Sequence, residues 1–256
     1  MLRGLYASVS SMLTLQSRQS IINNNLANIN TTGYKEETLA SKSFDEVMLH
    51  NNDNYKSGKG NKQILGNMNF GVRIDDIYTN YSQGSNISTD NNMDFAIEGN
   101  GFFQVEDEQN NQYYTRNGDF GVDAQGYLIT NLVHYVIGKN NTTGATERIN
   151  VGSDNIYVTS DNKISVGDVY KYNFNIVDFQ NYSELKKLGN GLYTGTDAID
   201  ATNFSVKQRY LESSNVDPIS SVALLMETVN EFEANQKVVQ AMDSILNKIA
   251  NEIGKV

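Results

Sequence analysis

The chain has 256 residues, and its 30 acidic against 20 basic side chains give a formal net charge of -10. That balance argues against a nucleic-acid binder, which must neutralise phosphates, and the absence of cysteine excludes disulfides and thiolate metal sites. No apolar run approaches the length of a membrane span, so no membrane insertion is expected, and the length suffices for one large domain or two modest ones.

The first 29 residues carry Leu2, Leu5, Val9, Met12, Gln16, Gln19, Ile22, Leu26 and Ile29 at steps of three and four. This spacing predicts a long helix with a coiled-coil-like seam. Its Ser, Thr and Gln interruptions do not make the apolar core of a cleavable signal, so export of the chain requires another route. The helix runs into NNNLANINTTGYK, residues 23–35, where Asn lowers helix propensity and Gly33 is a natural stop. One reading is that the amides merely cap the helix end. The other is that Asn24, Asn25 and Asn28 bond the C-terminal helix or adjacent subunits, because a paired amide is buried without an ionisation penalty. Gly33 then turns the chain outward and Tyr34 anchors the exit.

Residues 36–75 are expected to hold a short helix and a mobile linker. Ser43 and Glu46 in SFDEVML have capping-box spacing, and HNNDNYKSGKGNKQ, residues 50–63, is polar and Gly-interrupted. From 76 to 217 the period switches to two. MDFAIEGNGFFQV reads as two strands around Gly99-Asn100-Gly101, and QYYTRNGDFGVDAQGYLIT and KISVGDVYKYNFNIVDF add further strands. Turn signals every eight to twelve residues predict a central all-β sandwich or barrel.

Asp217-Pro218 is a strong helix start. Beyond it Val222, Leu225, Val229, Phe232, Gln236, Val239, Met242, Leu246 and Ile249 repeat the N-terminal spacing, and Ile253 extends it. The fold class is therefore α+β, with terminal helices over 1–35 and 218–256 forming a helical layer and a β domain between them. Leu224, Val238 and Ile245 widen the apolar face of the last helix beyond what a single partner helix covers. Either the terminal helices pack on their own β domain, or other subunits complete the layer.

No arrangement of catalytic groups emerges, so no enzyme, cofactor or metal is expected. His50 and His134 stand in unrelated contexts. SELK at 183–186 and SDN at 153 and 160 occur in the wrong order for a serine acyl-enzyme and lack Lys-Thr-Gly. GNG at 99 lacks the third Gly and the helix of a dinucleotide site, and EDE at 106–108 reads as a solvated loop.

Four of these segments carry a resemblance. NNNLANINTTGYK resembles the N-terminal signature of the flagellar rod and hook family at Asn24, Asn25, Ala27, Asn28, Thr31, Gly33, Tyr34 and Lys35. MDFAIEGNGFFQV and YTRNGDF are similar to that family's strand motifs. YLESSNVD and the helix after it are similar to its C-terminal signature, with Phe232 where Tyr is usual and NEF in place of Gln-Arg-x-Tyr. The length and short middle domain look like a rod protein, proximal or distal, rather than a hook protein. The resemblance implies a structural subunit of the basal-body rod, self-assembling into an axial tube that transmits torque and conducts exported subunits. Implied partners are copies of itself, neighbouring rod and hook proteins, and the type III export apparatus. The implied location is the flagellum basal body, reached without a cleaved signal peptide. Leu5, Val9, Met12, Ile22, Asn24, Asn25, Leu26, Asn28, Gly33, Tyr34, Val222, Leu225, Val229, Phe232, Val239 and Leu246 are the expected assembly interface. The competing function is an extracellular β-rich binding module, an adhesin or carbohydrate binder, using exposed Tyr113, Tyr114 and Tyr127.

Overall fold

The computed structural model describes residues 2–56, 59–152, 156–159, 162–167 and 169–253. Among them the chain forms two compact units, one of Met1–Leu26, Glu37–Thr79 and Pro218–Val256, the other of Ala27–Glu36 and Asn80–Asp217.

The first unit contains α1 (Leu2–Ala27), β1 (Glu37–Ser43), β2 (Val47–Lys56), β3 (Lys59–Met68), β4 (Val72–Thr79) and α2 (Pro218–Ile253). The two helices meet in antiparallel order. A Cβ on Gly4 would stand 2.7 Å from Met242 Cε, and Asn235 Nδ2 donates to Ser11 Oγ at 3.3 Å. Seven residues up α1 thus match seven residues down α2. The inward positions of α2 are Ser221, Leu225, Thr228, Phe232, Asn235, Val239, Met242 and Leu246, all buried or half-buried. Every second step lies one residue before the expected Val222, Val229 and Gln236. Ser11 stands opposite Asn235 and Gly4 opposite Met242, so a polar pair is set into the otherwise apolar seam. Two buried hydroxyls bond within their own helices, Thr228 Oγ1 donating to Leu224 O at 2.7 Å and Thr14 Oγ1 to Ser10 O at 3.1 Å.

The short helix expected at 43–49 is absent. Residues 44–46 connect β1 to β2, and the Glu46 carboxylate accepts from Asn67 Nδ2 at 2.9 Å instead of closing a capping box. The expected linker is a hairpin: β2 and β3 pair antiparallel from Val47↔Met68 to Lys56↔Lys59, residues 57 and 58 lying outside the described ones. A ladder of backbone bonds requires no apolar side chains, so the polar composition concealed it. β1 pairs antiparallel with β4, with a bulge between Ala40 and Ser41.

Among its described residues, the regular elements of the second unit are strands apart from a 3-10 turn at Tyr182–Glu184. Its strands are β5 (Asn86–Ser88), β6 (Phe95–Gly99), β7 (Phe102–Glu106), β8 (Gln112–Thr115), β9 (Phe120–Val122), β10 (Leu128–Thr130), β11 (Tyr135–Asn140) and β12 (Thr146–Arg148). There follow β13 (Ile156–Val158), β14 (Lys163–Val166), β15 (Val169–Phe174), β16 (Ile176–Phe179), β17 (Lys186–Gly189), β18 (Leu192–Thr194), β19 (Ala198–Asp200), β20 (Phe204–Gln208) and β21 (Tyr210–Glu212). The main sheet runs β13-β14-β15-β11-β7-β8-β18-β17, with β9, β10, β12, β16 and β19 joined to it. β6 and β7 do not pair with each other. β6 pairs with β20 and β7 stays in the main sheet, because Gly99 and Gly101, at φ +106° and +122°, step the chain between the two.

Phe95, Phe103, Phe120 and Phe174 centre the larger core, their rings 5.0 to 6.0 Å apart. A second core gathers Phe102, Tyr114, Phe179 and Tyr193, with Tyr81 and Tyr182 against it. There Tyr182 Oη donates to Asp178 Oδ1 at 2.6 Å. Burial, and then the Asp178 carboxylate, push the Tyr182 phenol up to about 12. The unfolded chain releases this proton near pH 10, so the stability the phenol contributes is whole below that pH and is lost as pH rises to about 12. Tyr182→Phe should remove this part of the alkaline loss, a difference read from urea midpoints on either side of that window.

Candidate functional site

Three of the motifs meet in the second unit around one carboxylate. Lys35 closes the N-terminal motif, Arg116 lies in YTRNGDF and Glu212 in YLESSNVD. Lys35 Nζ donates to Glu212 Oε1 at 2.6 Å and to Ser82 O at 2.7 Å. Arg116 donates through NH1 to Glu212 Oε2 at 3.2 Å and through NH2 to Gly99 O at 2.8 Å, and its guanidinium lies 5.3 Å from the Phe102 ring centre. Gly84 N–H donates to Glu212 Oε1 at 2.9 Å. The Glu212 side chain is 0% exposed, with Lys35 at 1% and Arg116 at 4%. Burial lowers the Lys35 pKa from its ordinary value, Glu212 opposing the shift and Arg116 adding to it.

The backbone around this triplet is fastened as well. Gly33 N–H donates to Glu212 O at 2.8 Å, Thr32 Oγ1 to Asn117 Oδ1 at 2.7 Å, and Glu36 N–H to Asn215 Oδ1 at 2.8 Å. Asn215 Nδ2 in turn donates to Asn80 O at 2.8 Å and Ser82 O at 3.1 Å. Tyr34 is 5% exposed, with Lys187 Nζ 4.0 Å from its ring centre. Residues 27–36 are thereby built into the β unit. Gly33 has φ +67°, and an added Cβ would stand 2.5 Å from Asn117 N and 2.6 Å from Arg116 C. Gly33→Ala combines left-handed strain with a clash against backbone, so it should cost more than about 1 kcal/mol of second-unit stability. Chemical denaturation measures this.

Of the expected interface residues, Ile22 and Asn25 are buried in the first unit, and Gly33 and Tyr34 in the second. Leu5, Met12, Leu26, Asn28, Leu225, Val229, Phe232, Val239 and Leu246 are half-buried, while Val9, Asn24 and Val222 are exposed. The Asn25 amide bridges to the start of β1: Nδ2 donates to Glu37 O at 2.8 Å and Oδ1 accepts from Glu37 N–H at 3.1 Å. Asn28 holds the turn after α1, its backbone oxygen and Oδ1 each accepting from Thr31 at 3.1 Å. Asn25 thus ties its amide to backbone twelve residues on, and Asn28 ties its amide to a neighbouring hydroxyl.

Of the three tyrosines expected to be exposed in a binding module, none is exposed. Tyr114 is 5% exposed and packs edge-on to Phe179 at 4.9 Å, and Tyr113 and Tyr127 are half-buried. Of the EDE segment, Asp107 closes a turn by accepting from Gln109 and Asn111. Ser183 belongs to the 3-10 turn and bonds Asn181. In the two SDN segments, residues 153–155, 160 and 161 lie outside the described residues.

A β unit pinned by a buried ion triplet, and a helical unit with much apolar surface bare, define a structural subunit. Residues 5–35 match the family model described as flagella basal body rod protein. Residues 96–168 match flagellar hook protein FlgE/F/G D1 domain, and residues 207–252 match flagellar basal body rod FlgEFG protein C-terminal. The flagellar basal-body rod protein FlgG of Buchnera aphidicola subsp. Schizaphis graminum is 31% identical, over 98% of this chain and 99% of its own. FlgG of Bacillus subtilis is 30% identical over the same shares, and its flagellar hook-basal body complex protein FlhO is 29% identical over all of both chains. The chain belongs to the flagellar basal-body rod protein family.

Proposed function

We propose that this structural subunit self-assembles through its first unit, with copies of itself and with neighbouring rod and hook proteins, into the axial tube of the basal body. The tube transmits torque because packed helices are dense and nearly incompressible, and it conducts exported subunits. The chain reaches it through the flagellar export apparatus without a cleaved signal peptide.

One observation carries this reading. Among the described residues, Leu15, Ile22 and Leu39 are the hydrophobic side chains buried in the first unit. Leu13, Ile219, Leu224, Met226, Val238 and Ile245 stand 43% to 80% exposed in the same unit. Apolar surface is worth about 25 cal/mol per Å² when buried, and faces this bare mark contact sites. The second unit, in contrast, closes a core on itself.

Concentration-dependent light scattering of the purified chain tests assembly, and electron microscopy of basal bodies from a deletion strain tests the rod assignment. Growth of scattering with concentration and truncated basal bodies are expected; a persistent monomer and intact basal bodies contradict the reading. Amide exchange should also be fast along α1 and α2 in dilute monomer and slow after assembly, because isolated helices are marginal in water. Slow exchange at low concentration would show that the helices need no neighbour.

A further inference from the structure

The first unit carries two bare helical stripes of matching length and complementary relief. On α1 the outward residues Tyr6, Val9, Leu13 and Gln16 repeat at steps of three, four and three, all exposed. Tyr6, Val9 and Leu13 form one wall of a groove of about 750 Å³ whose other wall is Phe44, Val47 and Phe70. Arg3 also lines the groove, its guanidinium 5.8 Å from the Phe70 ring centre. On α2, Ala234, Val238, Ala241 and Ile245 repeat at steps of four, three and four, again all exposed. This stripe flanks the seam that faces α1 of the same chain.

Resting on the rod reading, we infer that the α1 groove of one copy receives the Ala234–Ile245 face of α2 from a second copy, the two helices running parallel. In this register the large Tyr6 and Leu13 meet the small Ala234 and Ala241, both pairs being seven residues apart. Val9 then fits beside Val238, and Gln16 beside Ile245. At 1.5 Å per residue, Arg3 to Gln16 spans about 20 Å and Glu231 to Ile245 about 21 Å. Charge settles the direction. Parallel packing sets Arg3 opposite Glu231, an exposed carboxylate one turn before Ala234, whereas antiparallel packing would bring Lys248 towards it. Because groove and face are different surfaces, each copy offers one of each to the next, and the contact propagates into an open helical array instead of closing as a dimer.

The chain has no cysteine, which permits a clean test on the full-length protein. Leu13→Cys combined with Ala241→Cys should yield, on mild oxidation of assembled material, a ladder of covalent oligomers. Each single variant should stay uncrosslinked alone, and an equal mixture of the two should stop at covalent dimers. Leu13→Cys with Val222→Cys, whose second cysteine lies on the opposite flank of α2, should give no ladder. Arg3→Glu should raise the concentration needed for assembly by up to about fivefold, and adding Glu231→Arg should restore it. Assembled Leu13→Cys/Ala241→Cys chains without a ladder, or an equal ladder from the Val222 control, would overturn this docking while leaving the rod reading intact. A wild-type chain that never assembles would overturn both.

Discussion

Glu212→Ala should destabilise the second unit by about 3–5 kcal/mol, the cost of removing one partner from a buried ionic cluster. The substitution leaves Lys35 and Arg116 buried with two positive charges and no carboxylate between them, and Gly84 N–H without its acceptor. Lys35 keeps Ser82 O and Arg116 keeps Gly99 O, but neutral carbonyls do not balance a desolvated cation. Glu212→Gln restores an acceptor without the charge and should fall between. Replacing Lys35, Arg116 and Glu212 together with Met, Met and Leu should recover much of the loss, because apolar residues of similar volume carry no desolvation penalty. Urea unfolding of the four chains, followed by tyrosine fluorescence, gives the order. A Glu212→Ala chain within about 1 kcal/mol of wild type would show that the triplet does not fasten the motifs.

Ile22→Asp should act on the other unit. Ile22 is 7% exposed on α1, and the change removes a buried aliphatic group at about 2–5 kcal/mol and puts a carboxylate in its place. The helical unit should lose its packing and the chain its ability to assemble, so a strain carrying the substitution should be non-motile. The second unit should unfold at an unchanged urea midpoint, since its cores are its own. Leu26→Asp and Val229→Asp, at half-buried positions, should follow with smaller effects. A motile Ile22→Asp strain would contradict the role given to α1.

The two long helices were legible because apolar residues at steps of three and four leave a pattern that composition does not hide, and Asp217-Pro218 marks the first residue of α2. The polar half of the α2 seam was not legible. Ser221, Thr228 and Asn235 are polar yet buried or half-buried, and a stripe of apolar residues cannot reveal polar positions that turn inward. The hairpin of β2 and β3 was missed for a related reason: its bonds are backbone bonds, and Asn, Lys and Gly in its strands gave no alternation to follow. A domain boundary at 76 cuts β4, which ends at Thr79. The ion triplet was present in the motifs as Lys35, Arg116 and Glu212, yet residues so far apart in the chain reveal their meeting only in three dimensions. Its existence changes where the β unit begins, since Lys35 belongs to it and a fragment starting at 76 would leave it out.

If the helical unit assembles while the β unit stands alone, sedimentation of two proteins will show it most directly. One is the full chain. The other joins residues 27–36 to 80–217 through a short glycine bridge, which the fold permits because Asn80 N–H already bonds Glu36 O at 2.8 Å. The fragment keeps Lys35, Arg116 and Glu212 and should stay a monomer with a cooperative unfolding transition at every concentration, while the full chain grows into larger species as concentration rises. Larger species from the fragment, or a full chain that sediments as a monomer throughout, would contradict the account.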